Sequence, residues 1–219
     1  MLLAEPTRAT LLDALMAGEP LPAGELARRA GIASSTASGH LARLRAGRLV
    51  SFETVGRQRR YRLASPAVAE AIEALARIAP PPPTRSLRAA ERDSALRFAR
   101  MCYDHLAGEL GVALTDALVS RKMITPDDGS FRITSRGERR LALLGVDLDG
   151  AQAARRSFAR SCLDWSEHRE HLAGALGAAL ADALIAQKVI ARRPRDRAVT
   201  VTPKGRDVLC ELGVRLAAN

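Results

Sequence analysis

Two cysteines and two histidines stand at matched places in the second half of this sequence, Cys102 with His105 and Cys162 with His171. Thiolate sulfur and imidazole nitrogen are the ligands that zinc and other thiophilic metals prefer, so two Cys and two His from paired units could make one tetrahedral site. The two sulfurs could equally form a redox pair, or line a pocket for an organic ligand. A fourth reading is packing alone, with small buried thiols and histidines that donate to backbone carbonyls. If the segment is helical, Cys102 and His105 are three apart and share a face.

Elsewhere the chain offers little for catalysis. It has no Gly-rich phosphate loop, no Ser or Cys nucleophile in a recognisable setting, and no paired acids in a cleft. An enzyme is not expected, and no cofactor is required.

A second set of side chains suits a polyanion. Ser34, Ser35, Thr36, Ser38 and His40 lie together, and short hydroxyl side chains let a helix approach a groove, bond phosphates and touch base edges. Arg57, Arg59 and Arg60 crowd a turn at Val55–Arg60. A cationic hairpin tip beside a reading helix can hold the phosphate backbone or enter the minor groove. The net charge of +10 agrees with such a partner. Only three of the 34 basic residues are Lys, so an arginine-rich composition accounts for part of that excess.

The elements that must position these side chains follow from the pattern. Thr7 to Leu15 reads as a helix with Leu11, Leu12 and Leu15 on one side. Pro20 to Pro22 breaks the chain. Ala23 to Ala30 is a helix packed through Leu26 and Ala27, and Gly31 supplies the positive φ of a tight inter-helix turn. The next helix turns Ala37, Leu41 and Leu44 inward and leaves the Ser/Thr set outside. After Gly47, the segments 49–54 and 61–63 read as strands flanking the arginine turn. The segment Pro66 to Ile78, apolar at Val68, Ala71, Ile72 and Leu75, is a candidate dimer helix.

Residues 4–78 resemble the ArsR-type (arsenic-repressor-like) winged-helix family. The resemblance is carried by Pro6-Thr7-Arg8, Glu25-Leu26-Ala27, Ser35-Thr36-Ala37-Ser38 with His40-Leu41, Gly47 before Leu49-Val50, and Gly56-Arg57 before Tyr61-Arg62-Leu63. It implies a homodimer on double-stranded DNA, an inverted-repeat operator, repression, and an effector that weakens binding. It assigns Ser34, Ser35, Thr36, Ser38 and His40 to the recognition helix and Arg57, Arg59 and Arg60 to the wing. The sequence departs from the family in three ways. Ala33 stands where a Ser cap is usual, and the first family helix is short or missing. The family's metal motifs are absent: residues 26–30 hold no Cys, and residues 66–78 hold no His, only Glu70 and Glu73.

The rest of the chain repeats itself. Residues 105–118, His-Leu-Ala-Gly-Glu-Leu-Gly-Val-Ala-Leu-Thr-Asp-Ala-Leu, return at 171–184 as His-Leu-Ala-Gly-Ala-Leu-Gly-Ala-Ala-Leu-Ala-Asp-Ala-Leu. Phe98-Ala99-Arg100-Met101-Cys102 returns as Phe158-Ala159-Arg160-Ser161-Cys162, and Ile133-Thr134 with Gly137 as Val201-Thr202 with Gly205. Each unit reads as a Cys-bearing helix, a second helix (Leu110 to Met123, Leu176 to Val189), a short strand, and a Thr-x-x-Gly step into a closing helix. Asp104, Asp116, Asp164 and Asp182 recur in register, with pairing to Arg100 and Arg160 at i, i+4 as the simple expectation. Arg192–Arg197 falls where the second unit's turn should be, and reads as a solvated loop or an extra phosphate contact.

The expected fold is mainly α with small β-hairpins, an α+β class: a winged helix-turn-helix over 1–79, a Pro-rich linker over 80–92, and two winged-helix-like units over 93–149 and 150–219 about a pseudo-twofold axis. No basic-then-apolar leader and no apolar run of membrane length is present, so a cytoplasmic protein without a membrane partner is expected.

Overall fold

A computed structural model describes residues 3–79, 86–194 and 196–215. The Pro80–Pro83 stretch and Arg195 lie outside the described residues. Among the described residues, no helix is long and apolar enough to cross a membrane.

The first part is a winged helix-turn-helix built in the order its sequence dictates. Helix α1 (Pro6–Leu15) starts at Glu5, whose carboxylate accepts from Thr7 N at 3.0 Å and Arg8 N at 2.9 Å. That carboxylate satisfies two of the amide donors a helix start leaves open. Helix α2 (Ala23–Ala30) ends on Gly31 at φ 66, and α3 (Ser34–Ala46) follows after a short turn. Strands β2 (Val50–Val55) and β3 (Gln58–Leu63) pair antiparallel from Val50↔Leu63 to Val55↔Gln58. A short strand β1 (Leu21–Pro22) adds to β3, where the sequence suggested only a chain break. Leu11, Leu12, Leu15, Leu26, Leu41, Leu44 and Leu63 fill the core between these elements. Helix α4 (Pro66–Ile78) closes the part, burying Ala69 and Glu73 on one side.

The remainder shows one succession twice: hairpin, helix, hairpin, helix. The first pass is β4 (Arg100–Cys102), β5 (His105–Ala107), α6 (Glu109–Ser120), β6 (Ile124–Asp127), β7 (Ser130–Ile133) and α7 (Ser135–Leu143). The second is β8 (Arg160–Leu163), β9 (Glu170–Ala173), α9 (Gly174–Ala186), β10 (Ile190–Arg192), β11 (Val199–Val201) and α10 (Pro203–Glu211). Helices α5 (Leu87–Phe98) and α8 (Leu148–Ala153) precede the two passes. The linker expected over 80–92 therefore gives way to helix at Leu87, capped by Ser86 Oγ accepting from Ala89 N at 3.2 Å. The expected boundary at residue 150 falls inside α8.

Cys102 and Cys162 sit on strands, not on helices as the pattern suggested. Only two residues separate Cys102 from His105, and Tyr103 turns the chain at φ 64, so the two residues face each other across a hairpin. With no helix there, the i, i+4 Asp–Arg pairs do not form. Arg100 instead reaches Asp164 at 2.9 Å, across to the other pass. The hairpins also cross over. Phe131 N donates to Ala159 O at 2.7 Å, and Val199 N donates to Ala99 O at 3.0 Å, so each pass pairs its second hairpin with the first strand of the other. The Thr-x-x-Gly step works as a cap: Thr134 Oγ1 accepts from Gly137 N at 3.1 Å and Thr202 Oγ1 from Gly205 N at 2.9 Å. One continuous apolar core runs through both passes.

Candidate functional site

Two groups of side chains could carry function, one outside and one inside. On α3, the inward row Ala37, Leu41 and Leu44 is fully buried. Ser34, Ser35, Thr36 and Ser38 are exposed, as the sequence suggested. Ser38 Oγ donates to Ser34 O at 2.9 Å, which turns its hydroxyl back on the helix. His40 does not join them. It is half-buried, with Nδ1 3.4 Å from Glu5 Oε2, so its ring lies against the start of α1. The same Glu5 carboxylate is held down to about 2, mainly by its hydrogen bond with Thr7. Gly39, Ala42 and Arg43 are exposed and extend the outward face. Their positions four and seven residues after Ser35, and seven after Thr36, carried that information.

The wing turns on Gly56 at φ 60, the two-residue loop with a leading glycine that matches strand twist. Arg57, Arg59 and Arg60 are all exposed. Arg59 lies 4.8 Å above the Phe52 ring, and Arg45 of α3 approaches the same ring at 5.3 Å. Phe52 thus joins the end of the outward-facing helix to the wing in one cationic edge.

The inner group is the soft-donor set. Cys102, His105, Cys162 and His171 are all buried, and one ligand atom from each lies within 4.8 Å of the others. Strands β4 and β5 set Cys102 opposite His105, and β8 and β9 set Cys162 opposite His171. The imidazoles stack at 5.1 Å between centroids, with Nε2 atoms 3.2 Å apart. Behind each ring stands a carboxylate: Asp104 Oδ1 is 3.2 Å from His105 Nδ1, and Asp164 Oδ2 is 3.7 Å from His171 Nδ1. Hydrogen bonding from Cys102 and then from both imidazoles favours thiolate at Cys162, pushing its pKa far down. The hydrogen bond with Cys162 and burial push the Cys102 thiol up. Burial pulls the His105 imidazole down, but Asp104 and Cys162 outweigh it and its pKa is raised. A cavity of about 160 Å³ opens onto Cys102, His105 and Cys162, with Glu70, Tyr103 and Arg156 also in its wall.

A buried charge network ties this group to the winged domain. Asp164 Oδ2 accepts from Arg100 Nη2 at 2.9 Å and from Gly108 N at 2.7 Å. Burial opposes that charge, yet Arg100 and the Ser166 bonds hold the carboxyl well below the usual range. Arg197 donates to Glu73 of α4 at 2.9 Å and to Asp13 of α1 at 3.2 Å. The segment expected to be a solvated arginine loop is thus docked at Arg197, and also at Arg192, which donates to Ala17 O at 2.8 Å. The docking role of Glu73 was not foreseen from the sequence. Its signal was a charged residue four after Ala69, on the inward face of an apolar helix.

Residues 3–51 match the family described as a helix-turn-helix domain. The uncharacterized HTH-type transcriptional regulator YdfF of Bacillus subtilis (strain 168) is 44% identical over 205 residues, 94% of this chain and 91% of its own. The chain belongs to that family of HTH-type transcriptional regulators. This is a family of regulators, not of enzymes. Among solved structures, NolR from Sinorhizobium fredii is 35% identical over 35% of this chain and 76% of its own, with a TM-score of 0.33. The homodimeric winged helix-turn-helix DNA-binding domain of Mb0332 from Mycobacterium bovis, a possible ArsR-family regulator, is 32% identical over 35% of this chain and 69% of its own, with a TM-score of 0.32. The relationship to YdfF runs through the Cys/His half of the regulator as well as its winged domain.

Proposed function

We propose that this regulator is a repressor that binds an inverted-repeat operator as a homodimer, with α3 in the major groove and the wing on the flanking backbone. The observation that carries the reading is the outward face of α3, with Ser34, Ser35, Thr36 and Arg43 exposed above a rigid apolar row and flanked by the arginine wing. Hydroxyls and a guanidinium at a groove-sized helix face serve base edges and phosphates, while Arg57, Arg59 and Arg60 serve the backbone. One such helix reads too few base pairs for specificity, and a twofold pair spaced by one DNA turn corrects that. Helix α4 supports self-association: Val68 and Ile72 pack inward, while Leu75 is 45% and Ile78 81% exposed. We read the two passes as a duplicated pair that serves as the dimerisation or effector-sensing half.

The test is titration of the purified protein against its own upstream intergenic DNA and a scrambled duplex at two salt concentrations. Tight binding to the intergenic DNA that persists at the higher salt, with two protomers per site, is the expected result. Equal, salt-labile binding to both duplexes would leave only non-specific backbone attraction and defeat the reading.

A further inference from the structure

The geometry points to a binding site for one thiophilic divalent cation of the zinc class at Cys102, His105, Cys162 and His171. The donor set is two sulfurs and two nitrogens, which suits a borderline-soft tetrahedral ion. The dimensions suit it too. Two nitrogens bound at about 2.0–2.1 Å to a tetrahedral centre stand roughly 3.3 Å apart, and His105 Nε2 and His171 Nε2 are 3.2 Å apart. The outer carboxylates supply a second and independent argument. Asp104 lies within hydrogen-bond distance of His105 Nδ1, which favours the tautomer with hydrogen on Nδ1 and a lone pair on Nε2. Asp164 stands 3.7 Å from the otherwise unpartnered His171 Nδ1, its nearest carboxylate. With both rings held in that tautomer, as a bound ion would hold them, the two lone pairs and the two sulfurs crowd one buried space. A cation turns that mutual repulsion into ligation, and two thiolates neutralise its double charge, so no net charge is buried. The cavity against Cys102, His105 and Cys162 is a route of entry.

The four ligands come from β4, β5, β8 and β9, two from each pass, so the ion would clamp the two passes together. From there the path to the winged domain is short. His171 is backed by Asp164, Asp164 holds Arg100, and Arg100 lies 3.9 Å from Glu73 of α4. Taken with the regulator reading, on which this step rests, loading the site sets where α4 lies and so how two recognition helices are spaced.

The experiment uses the full-length reduced protein with Co(II) and Zn(II) as probes. The expected result is one Co(II) per chain, with the intense visible bands of a tetrahedral ion and thiolate-to-cobalt charge transfer, both erased by one equivalent of Zn(II). Zinc affinity, read by competition with a chromophoric chelator, falls more than about 100-fold in Cys162→Ala and His171→Ala. It falls about 10–100-fold in Asp104→Asn, which touches only the outer carboxylate. The exposed Cys210→Ser variant retains the wild-type spectrum. Weak octahedral bands from the wild-type protein overturn the proposal without recourse to any variant, and so does undiminished affinity in Cys162→Ala. Operator binding measured on the same samples separates the two readings. A tetrahedral spectrum without specific DNA binding keeps the site and removes the regulator reading, and the reverse result removes the site alone.

Discussion

The winged domain and the two-pass half that follows it solve opposite problems. In the first, the side chains offered to a partner stand outside, and the interior beneath α3 is apolar, with Ala37, Leu41 and Leu44 at zero exposure. In the second, the chemistry is inside: Arg100, His105, Thr115, Asp164 and His171 are buried among leucines and alanines. Burying polar groups costs stability unless they find partners, and here Arg100 and Thr115 find theirs in the other pass. Thr115 Oγ1 accepts from Leu172 N at 2.9 Å, and Arg100 binds Asp164. A surface that reads a groove can be altered one residue at a time. An interior of this kind is a single cooperative unit.

That contrast predicts its largest effect at Asp164. In Asp164→Ala the Arg100 guanidinium and the Gly108 amide lose their buried acceptor. Breaking a buried pair from one side costs about 3–5 kcal/mol, which the midpoint of urea denaturation will read directly. A loss below about 1 kcal/mol would mean that the interior behaves like a surface, and the contrast would fail. Next in size is Gly205→Ala. A Cβ there runs into the Val189 backbone carbonyl, an atom that cannot swing aside. The expected loss is about 1–3 kcal/mol in the same assay, with Gly137→Ala behaving alike against Met123.

The wing should respond mainly in binding. Arg57→Ala, Arg59→Ala and Arg60→Ala each remove an exposed cation. If each meets a phosphate, operator and scrambled duplexes weaken together, and the slope of log affinity against log salt drops by about 1 per residue. Thermal stability should not move in Arg57→Ala or Arg60→Ala, and should fall slightly in Arg59→Ala, which gives up its contact with the Phe52 ring. Loss of specificity in place of the salt slope would assign that arginine to base edges.

The winged domain was legible because its signals are local. Leucine spacing, Gly31 and the arginine tip each fix a neighbouring turn or helix, and the elements from α1 to α4 follow them. His40 was misplaced because helical spacing alone does not say that the start of α1 packs against its ring. In the second half the repeat singled out Cys102, His105, Cys162 and His171, which the fold brings within 4.8 Å of one another, yet placed the cysteine segments on helices. A three-residue strand is too short for period-two alternation to register, and Arg100-Met101-Cys102 is buried at every position. The pairing that brings the two hairpins together spans 66 residues, and no local pattern encodes it. The Arg197 docking was hidden for the same reason, since its partners Asp13 and Glu73 lie in another part of the chain.

The smallest effect separates the two regions most cleanly, because the same substitution reverses its sign. Gly39 sits mid-helix on α3 with nothing within 4 Å of where a Cβ would stand, and its φ is unexceptional. Alanine there gains helix propensity, so Gly39→Ala should stabilise the protein by about 0.5–1 kcal/mol, against the loss expected at Gly205. The added methyl projects from the outward face, between Ser35 and Arg43. If that face lies in a groove, the more stable variant should bind its operator less tightly. Stability rising while affinity falls identifies a position kept small for the partner's sake. Stability and affinity rising together would show that Gly39 stands clear of the DNA, and would shift the reading surface toward Ser34 and the wing.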